Sequence, residues 1–245
     1  MKKHIGFIIM VIIICITVTI VTISFIFKKF SDEVNKIKEG QMLQSQEAKM
    51  TNQFLLSTID WSSRRQRLIL FMRDQIVIKR ELISKPINLE KAYSIAERNV
   101  YECEKYPAIN PLLLLAIQNI ESTFNDSAVS PKGAIGLNQL MPSTARLVCL
   151  SLNLTYIEKM LFDITTNTKL AVRLLDILFA TYNDPEIVLA DYNGGPYSAY
   201  YFKNNKDKLN EETAKYVPGV MSTFEEYKSK FENYRIDSVY TYTKD

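Results

Sequence analysis

A single helix is predicted for Asn110-Pro-Leu-Leu-Leu-Leu-Ala-Ile-Gln-Asn-Ile-Glu-Ser122. Its first residue, an asparagine, is a good N-cap, and proline suits the first helical position that follows. Leu114, Ile117 and Glu121 are spaced i, i+3 and i+7, so they share one face of this helix. That face is apolar except for its last position, which is a carboxylic acid.

The position of Glu121 indicates a proton donor. Desolvation penalises the charged form of a carboxylic acid and raises its pKa, which keeps the proton in place near neutral pH. The alternative is a helix-terminal glutamate that simply reaches solvent. The helix alone is equally compatible with both interpretations.

Three further motifs follow in order. They are Ser130-Pro-Lys-Gly-Ala-Ile-Gly-Leu-Asn-Gln-Leu-Met-Pro-Ser-Thr-Ala145, Ala190-Asp-Tyr-Asn-Gly-Gly-Pro196 and Glu212-Thr-Ala-Lys-Tyr-Val217. Together with the Glu-Ser pair at 121–122, this ordered set resembles the catalytic domain of the soluble lytic transglycosylases (SLT), a goose-lysozyme-like fold that cuts the glycan strands of peptidoglycan. The resemblance covers residues 86–234. The middle motif is long and specific, whereas the Tyr-Asn-Gly motif alone would be weak evidence for the resemblance.

Two departures from the family pattern concern substrate fit and rate. Asn138 stands where the family usually has methionine. Asn167 is followed by threonine, and Ala171 and Leu174 occupy places where the family often has glycine and tyrosine. Both departures leave the proposed acid intact.

The resemblance implies that Glu121 is the sole catalytic carboxylate. It would protonate the β-1,4 glycosidic oxygen between N-acetylmuramic acid and N-acetylglucosamine, and then deprotonate the muramoyl C6 hydroxyl, which attacks C1 to give a 1,6-anhydro end. Matching positions imply the substrate-binding residues Ser122, Gln139, Tyr192, Asn193 and Tyr216. For Ser122 a helix C-terminal hydroxyl is the alternative, and for Gln139 an amide that braces its own loop. Two other functions stay open: a goose-type hydrolase, and a non-catalytic peptidoglycan-binding subunit of an envelope-spanning machine.

Composition excludes several other chemistries. The only histidine, His4, precedes the first apolar segment, so the main domain has no Ser-His-Asp, Cys-His or histidine-based zinc site. There is no Walker or dinucleotide loop, and we predict neither a metal nor a cofactor. The net charge of +3 is too small to indicate nucleic-acid binding. Cys103 and Cys149 could pair, although two buried thiols are favoured.

The N-terminal region is predicted to be a membrane anchor. Residues 5–27 form a run without ionised side chains that suits a single bilayer-spanning helix, and no small-x-small cleavage site follows. The lysines that flank the run favour a cytoplasmic C-terminal side. Peptidoglycan lies outside the cytoplasmic membrane, however, and on that ground we expect an extracytoplasmic, periplasmic domain.

Helical periodicity dominates the rest of the chain, and no strand alternation is convincing. The predicted class is therefore all-α or mainly α, with a lysozyme-like domain behind a transmembrane helix. We divide the chain into an anchor (1–30), a stalk and helical linker (31–85), the SLT-type domain (86–234) and a C-terminal tail (235–245). Within the linker, residues 54–85 suit a helix that packs on the catalytic domain, or one that meets a partner or a membrane surface.

Overall fold

The computed structural model describes the backbone of residues 2–235, and their side chains apart from those of residues 2–16, 18, 56 and 57. Seven α-helices make up most of this range: α1 (Lys2–Leu82), α2 (Leu89–Cys103), α3 (Pro111–Glu121), α4 (Pro142–Ser151), α5 (Ile164–Tyr182), α6 (Pro185–Asn204) and α7 (Glu211–Glu232). Short 3-10 turns cover Glu158–Phe162 and Lys206–Lys208. Residues 2–235 contain isolated β-bridges in the segment 129–140 but no strand, which confirms the mainly α class.

The chain divides into two compact units, Met1–Ser62 and Ser63–Asp245. In the first unit, described apolar side chains such as Phe27, Phe54 and Trp61 are exposed. Much of the predicted membrane span lies outside the described side chains, as residues 5–16 and 18 do, and the tail 236–245 is outside the described residues altogether. Among the residues that are described, no helix is long and apolar enough to cross a membrane.

The second unit includes the last turns of α1. Ile69, Phe71, Met72 and Ile76 are fully buried there, in the same hydrophobic core as the stripe of α3. Phe71 also contacts three aromatic rings at and beyond the end of α7, those of Tyr227, Phe231 and Tyr234. The compact unit that holds the motifs therefore begins at residue 63, upstream of the boundary predicted at residue 86.

Helix α3 forms where its end signals predict it. The side chain of Asn110 accepts a hydrogen bond from the backbone N–H of Leu112 at 2.9 Å, and proline occupies the first turn. The helix ends at Glu121, because Thr123 and Phe124 adopt left-handed backbone angles, with φ of 49° and 60°. The acid is therefore the last residue of a helix whose interior is almost wholly buried.

The Tyr-Asn-Gly motif lies inside α6, although two consecutive glycines ordinarily favour a turn or loop. Asp184 caps the helix, and the apolar residues Ile187, Val188 and Leu189 anchor its first half in the core. The helical pattern breaks only at Gly195, with φ 78° and ψ −177°, where a residue with a side chain would be strained. Pro196 then opens the second half, as proline does at a helix start.

A second, smaller core lies under α4 and the motif segment 130–141. It buries Ile135, Leu140, Ala145, Val148, Cys149, Leu161, Leu170 and Ala171. Leu174 and Tyr192 pack against both cores and so mark the seam between them. Cys103 is buried in the larger core and Cys149 in the smaller one, and both thiols are free.

Candidate active site

A cleft of about 550 Å³ brings the motif segments together. Its lining includes Glu121, Gln139, Tyr192, Asn193 and Tyr216, which come from α3, the segment 130–141, α6 and α7. Five of the six site residues that the sequence predicts therefore share one cleft.

Glu121 lies on the wall of this cleft with its carboxyl group largely desolvated. The pKa of Glu121 is raised to about 7, mainly by burial; the hydrogen bond from the hydroxyl of Tyr216 lowers it in part, and the charge of Glu212 adds to the rise. The apolar stripe beneath it, Leu114 and Ile117, is fully buried. An acid with this pKa is substantially protonated near neutral pH and can exchange its proton within that range.

Tyr216 provides a hydroxyl group that approaches this acid. The residue is 7% exposed, and its hydroxyl oxygen is buried without a hydrogen bond of ordinary length. Burial, followed by the nearby Glu121 charge, raises the pKa of Tyr216 well above its usual value, so the phenol keeps its proton. An unsatisfied buried donor beside a carboxyl group is suited to stabilise that carboxylate once its proton has left.

Tyr192 and Asn193 are held by contacts between elements. The hydroxyl of Tyr192 donates to the backbone carbonyl of Asn138 at 2.8 Å. The side-chain oxygen of Asn193 accepts a hydrogen bond from the hydroxyl of Thr213 at 2.7 Å, which joins α6 to α7. Both residues also line the cleft, so their positions are fixed by the fold rather than by substrate.

Ser122 is the predicted site residue that does not line the cleft. Its hydroxyl donates to the carbonyl of Leu137 at 2.7 Å and accepts from the N–H of Asn125 at 3.2 Å, and the residue is 9% exposed. The structure thus gives Ser122 a bracing role between the end of α3 and the motif segment. Its contact with substrate stays a prediction.

Gln139 both braces its loop and lines the cleft. Its side-chain nitrogen donates to the carbonyls of Gly136 and Ala128, at 2.8 Å and 3.2 Å. Its backbone φ of 46° is left-handed, which an asparagine or glycine would adopt more readily. The loop therefore accounts for the amide nitrogen, while a contact with sugar stays a prediction.

Sequence reasoning missed the charged rim of the cleft. Lys132 and Glu212 form an ion pair between the motif loop and the start of α7, and both line the cleft. Glu212 is the first residue of the Tyr-Val motif, one helical turn before Tyr216. This spacing puts the two residues on the same face of a helix and could have indicated that Glu212 also lines the cleft.

A second pocket of about 720 Å³ adjoins the first. It shares Tyr192, Asn193 and Glu212 with the first pocket and extends to Asp191, which accepts a hydrogen bond from the hydroxyl of Tyr182 at 2.5 Å. Within the described part of the chain, no group of three His, Cys, Asp or Glu side chains is placed to hold a metal ion.

A family model matches the part of the chain that forms most of this cleft. Residues 98–215 match the family model described as the transglycosylase SLT domain. The chain carries an SLT domain. The matched residues include α3, the motif segment 130–141, and the Tyr-Asn-Gly motif, and they end just before Tyr216.

Solved lytic transglycosylases are similar to the SLT domain. An inactive mutant of the lytic transglycosylase Slt from Pseudomonas aeruginosa is 25% identical, with a TM-score of 0.50 over 56% of this chain and 24% of that one. The 70 kDa soluble lytic transglycosylase from Escherichia coli is 21% identical, with a TM-score of 0.48 over 66% of this chain and 30% of that one. A complex of the 70 kDa soluble lytic transglycosylase with bulgecin A is 22% identical, with a TM-score of 0.48 over 60% of this chain and 28% of that one. The chain thus covers less than a third of these structures' lengths.

Proposed function

We propose that the protein is a peptidoglycan lytic transglycosylase and that Glu121 is its only catalytic carboxylate. The observation that carries the proposal is an acid with a pKa near 7, at the end of an apolar helix, in the cleft where the SLT motifs meet. The expected substrate is the glycan strand of peptidoglycan. The bond that breaks is the β-1,4 link between N-acetylmuramic acid and N-acetylglucosamine.

In the first step, Glu121 donates its proton to the glycosidic oxygen as the bond between that oxygen and the muramoyl C1 breaks. The N-acetylglucosamine side leaves as an alcohol, and Glu121 becomes a carboxylate. Desolvation makes this carboxylate a stronger base than an exposed one, because its conjugate acid has a pKa of about 7.

In the second step, the Glu121 carboxylate removes the proton from the muramoyl C6 hydroxyl as that oxygen bonds to C1. The product is a 1,6-anhydro ring, the acid is protonated again, and no water is consumed. The nucleophile belongs to the substrate, so its attack is intramolecular and needs no second carboxylate to activate water. Tyr216 supports the intermediate state, because its hydroxyl favours the charged form of Glu121.

The decisive experiment is mass spectrometry of the fragments that the purified protein releases from peptidoglycan sacculi. We expect fragments that end in 1,6-anhydro-N-acetylmuramic acid, lighter by about 18 mass units than hydrolysed ends because one water is absent. The reaction should be run in water labelled with heavy oxygen, with Glu121→Gln as the matched inactive control.

Each other outcome identifies a rival. Reducing ends that carry heavy oxygen would identify a lysozyme-type hydrolase, in which case Asp191 in the adjoining pocket is the first carboxylate to substitute. Binding to sacculi without any release of fragments would favour the non-catalytic subunit of an envelope-spanning machine.

We also propose that residues 5–27 anchor the protein in the cytoplasmic membrane with the SLT domain on the periplasmic side. The length and apolar character of the segment support a span, and the location of peptidoglycan supports this orientation against the lysine count. Protease added to spheroplasts should digest the SLT domain. Protection until the membrane is lysed would overturn the orientation. A place in an envelope-spanning machine stays a prediction.

A further inference from the structure

Four amide side chains are fully buried and joined in one chain beneath the cleft. Asn99 on α2, Gln118 on α3, Asn138 in the motif segment and Asn167 on α5 are each 0% exposed. Uncharged amides are seldom placed in a core unless their donors and acceptors are satisfied, because an unpaired buried polar group is costly. In this protein the four residues largely satisfy one another.

The first half of the amide chain joins α2, α3 and the motif segment. Asn99 and Gln118 exchange two hydrogen bonds, at 2.7 Å and 2.8 Å. The side-chain nitrogen of Gln118 also donates to the side-chain oxygen of Asn138 at 3.2 Å. The helix that ends in Glu121 is thereby tied on its buried side to a neighbouring helix and to the motif segment.

The second half joins the motif segment to α5. The side-chain oxygen of Asn167 accepts from the backbone N–H and from the side chain of Asn138, both at 2.9 Å. Its nitrogen donates to the carbonyls of Ile135 and Leu161, at 3.1 Å and 2.8 Å. This approach needs Gly136, since a Cβ there would lie 2.5 Å from the Asn167 nitrogen and 2.1 Å from the Leu161 carbonyl oxygen.

The amide chain reaches the cleft at two points. Gln118 lies one helical turn before Glu121 on α3. Asn138 accepts the hydroxyl of Tyr192 with its backbone carbonyl and directly precedes Gln139 in the cleft wall. One connected set of hydrogen bonds therefore sets the acid, the tyrosine and the motif loop relative to one another.

We propose that the buried amide chain Asn99–Gln118–Asn138–Asn167 is a positioning device, which holds Tyr192 and the motif loop at a fixed distance from Glu121. Asn138 is its central link, because it bonds to both Gln118 and Asn167. A connected network of directional bonds fixes geometry more narrowly than apolar packing does. The inference rests on the proposed function, but it concerns residues that touch neither substrate nor solvent.

The test compares Asn138→Met in the full-length protein with a matched control on α3. Asn119→Leu also removes a buried amide, one that donates to the hydroxyl of Tyr227 at 3.0 Å and takes no part in the amide chain. We expect Asn138→Met to lower kcat at least tenfold with KM within about twofold, because positioning acts on the reacting geometry. Asn119→Leu should leave kcat within about twofold, whatever its effect on Tm.

A second variant separates positioning from stability. The triple substitution Asn99→Leu, Gln118→Leu and Asn138→Met removes three links together and leaves no half-paired amide among them. If the chain only stabilised the fold, recovery of Tm in the triple variant would restore kcat, and that result would overturn the proposal. We expect Tm to recover while kcat stays low. If the triple variant does not fold, the comparison of kcat between Asn138→Met and Asn119→Leu still tests the proposal.

A measurement that needs no catalytic turnover tests the inference independently of the proposed function. Carbon-13 NMR of labelled glutamate side chains follows the titration of Glu121, whose titratable neighbours Tyr192, Tyr216 and Glu212 are unchanged in these variants. In Asn138→Met, water admitted to a loosened wall should move the titration of Glu121 to lower pH, while Asn119→Leu leaves it in place. If the wild type releases no anhydro fragments, the proposed function fails but this titration still tests the amide chain. An unmoved titration together with unchanged kcat would refute it.

Discussion

Substitution of Glu121 by glutamine should stabilise the folded protein above pH 7 while it lowers activity by orders of magnitude. Desolvation raises the pKa of Glu121 from an ordinary 4.5 to about 7. Between these two values the native state holds a proton that the unfolded chain has already released. The stability of the wild type must therefore fall as pH rises through this window, and it levels off above it.

The size of the effect follows from the shift. A rise of the pKa from 4.5 to about 7 corresponds to roughly 3 kcal/mol of lost stability above pH 7. The side chain of Glu121 keeps some contact with solvent in the cleft, which screens the charge. We therefore expect Glu121→Gln, which cannot titrate, to exceed the wild type by about 1 to 3 kcal/mol at pH 8.

Urea denaturation of both proteins at intervals from pH 4 to pH 8 measures this difference. The two curves should converge near pH 4, where both side chains are neutral, and separate above it. Activity on sacculi should fall by about two to four orders of magnitude, as the loss of a general acid predicts. Glu225→Gln, which removes an exposed carboxylate paired with Lys228 on α7, should follow the wild type at every pH. A stability difference that does not vary with pH would refute the desolvated acid.

Three further predictions concern the surroundings of the acid. Tyr216→Phe removes a hydroxyl that favours the charged form of Glu121, so the alkaline limb of the pH–rate profile should move to higher pH; kinetics between pH 5 and 9 measure this. Glu212→Gln removes a like charge and should move the same limb to lower pH, and movement in the same direction as Tyr216→Phe would contradict the assignment. Gly136→Ala should cost more than about 2 kcal/mol in chemical denaturation, because its Cβ would meet backbone at φ +80°, whereas Gly133→Ala meets open space and should cost only the backbone strain, about 1 kcal/mol.

The elements that could be predicted from sequence are those with local causes. Helix α3 follows from its asparagine cap, its proline and its periodicity, and the raised pKa of Glu121 follows from the apolar stripe that the same spacing creates. The cleft residues Tyr192, Asn193 and Tyr216 could be placed because each stands in a motif with a known order. These signals lie within a few residues of the features that they specify.

The features that could not be predicted depend on contacts distant in sequence. In the sequence, Asn138 is only a departure from the family pattern. In the structure its side chain bonds to those of Gln118 and Asn167, 20 residues before it and 29 after it. Helix α6 runs through glycines that indicate a loop, because its first half is anchored in the core and only Gly195 leaves the helical conformation. The influence of Glu212 on the acid likewise exists only once α7 returns to α3.

The boundary between the two cores has a consequence for the order in which parts of the protein unfold on heating and become open to proteases. Leu174 and Tyr192 belong to both cores, and the smaller core is made from only eight buried residues. Cooperative units of unequal size need not open together, and the smaller is expected to open first. In that partly open state the larger core is intact, but the cleft walls have separated and are accessible to a protease. If the proposed activity is confirmed, it is expected to be lost at a lower temperature than helicity, and to return on cooling while the larger core stays folded.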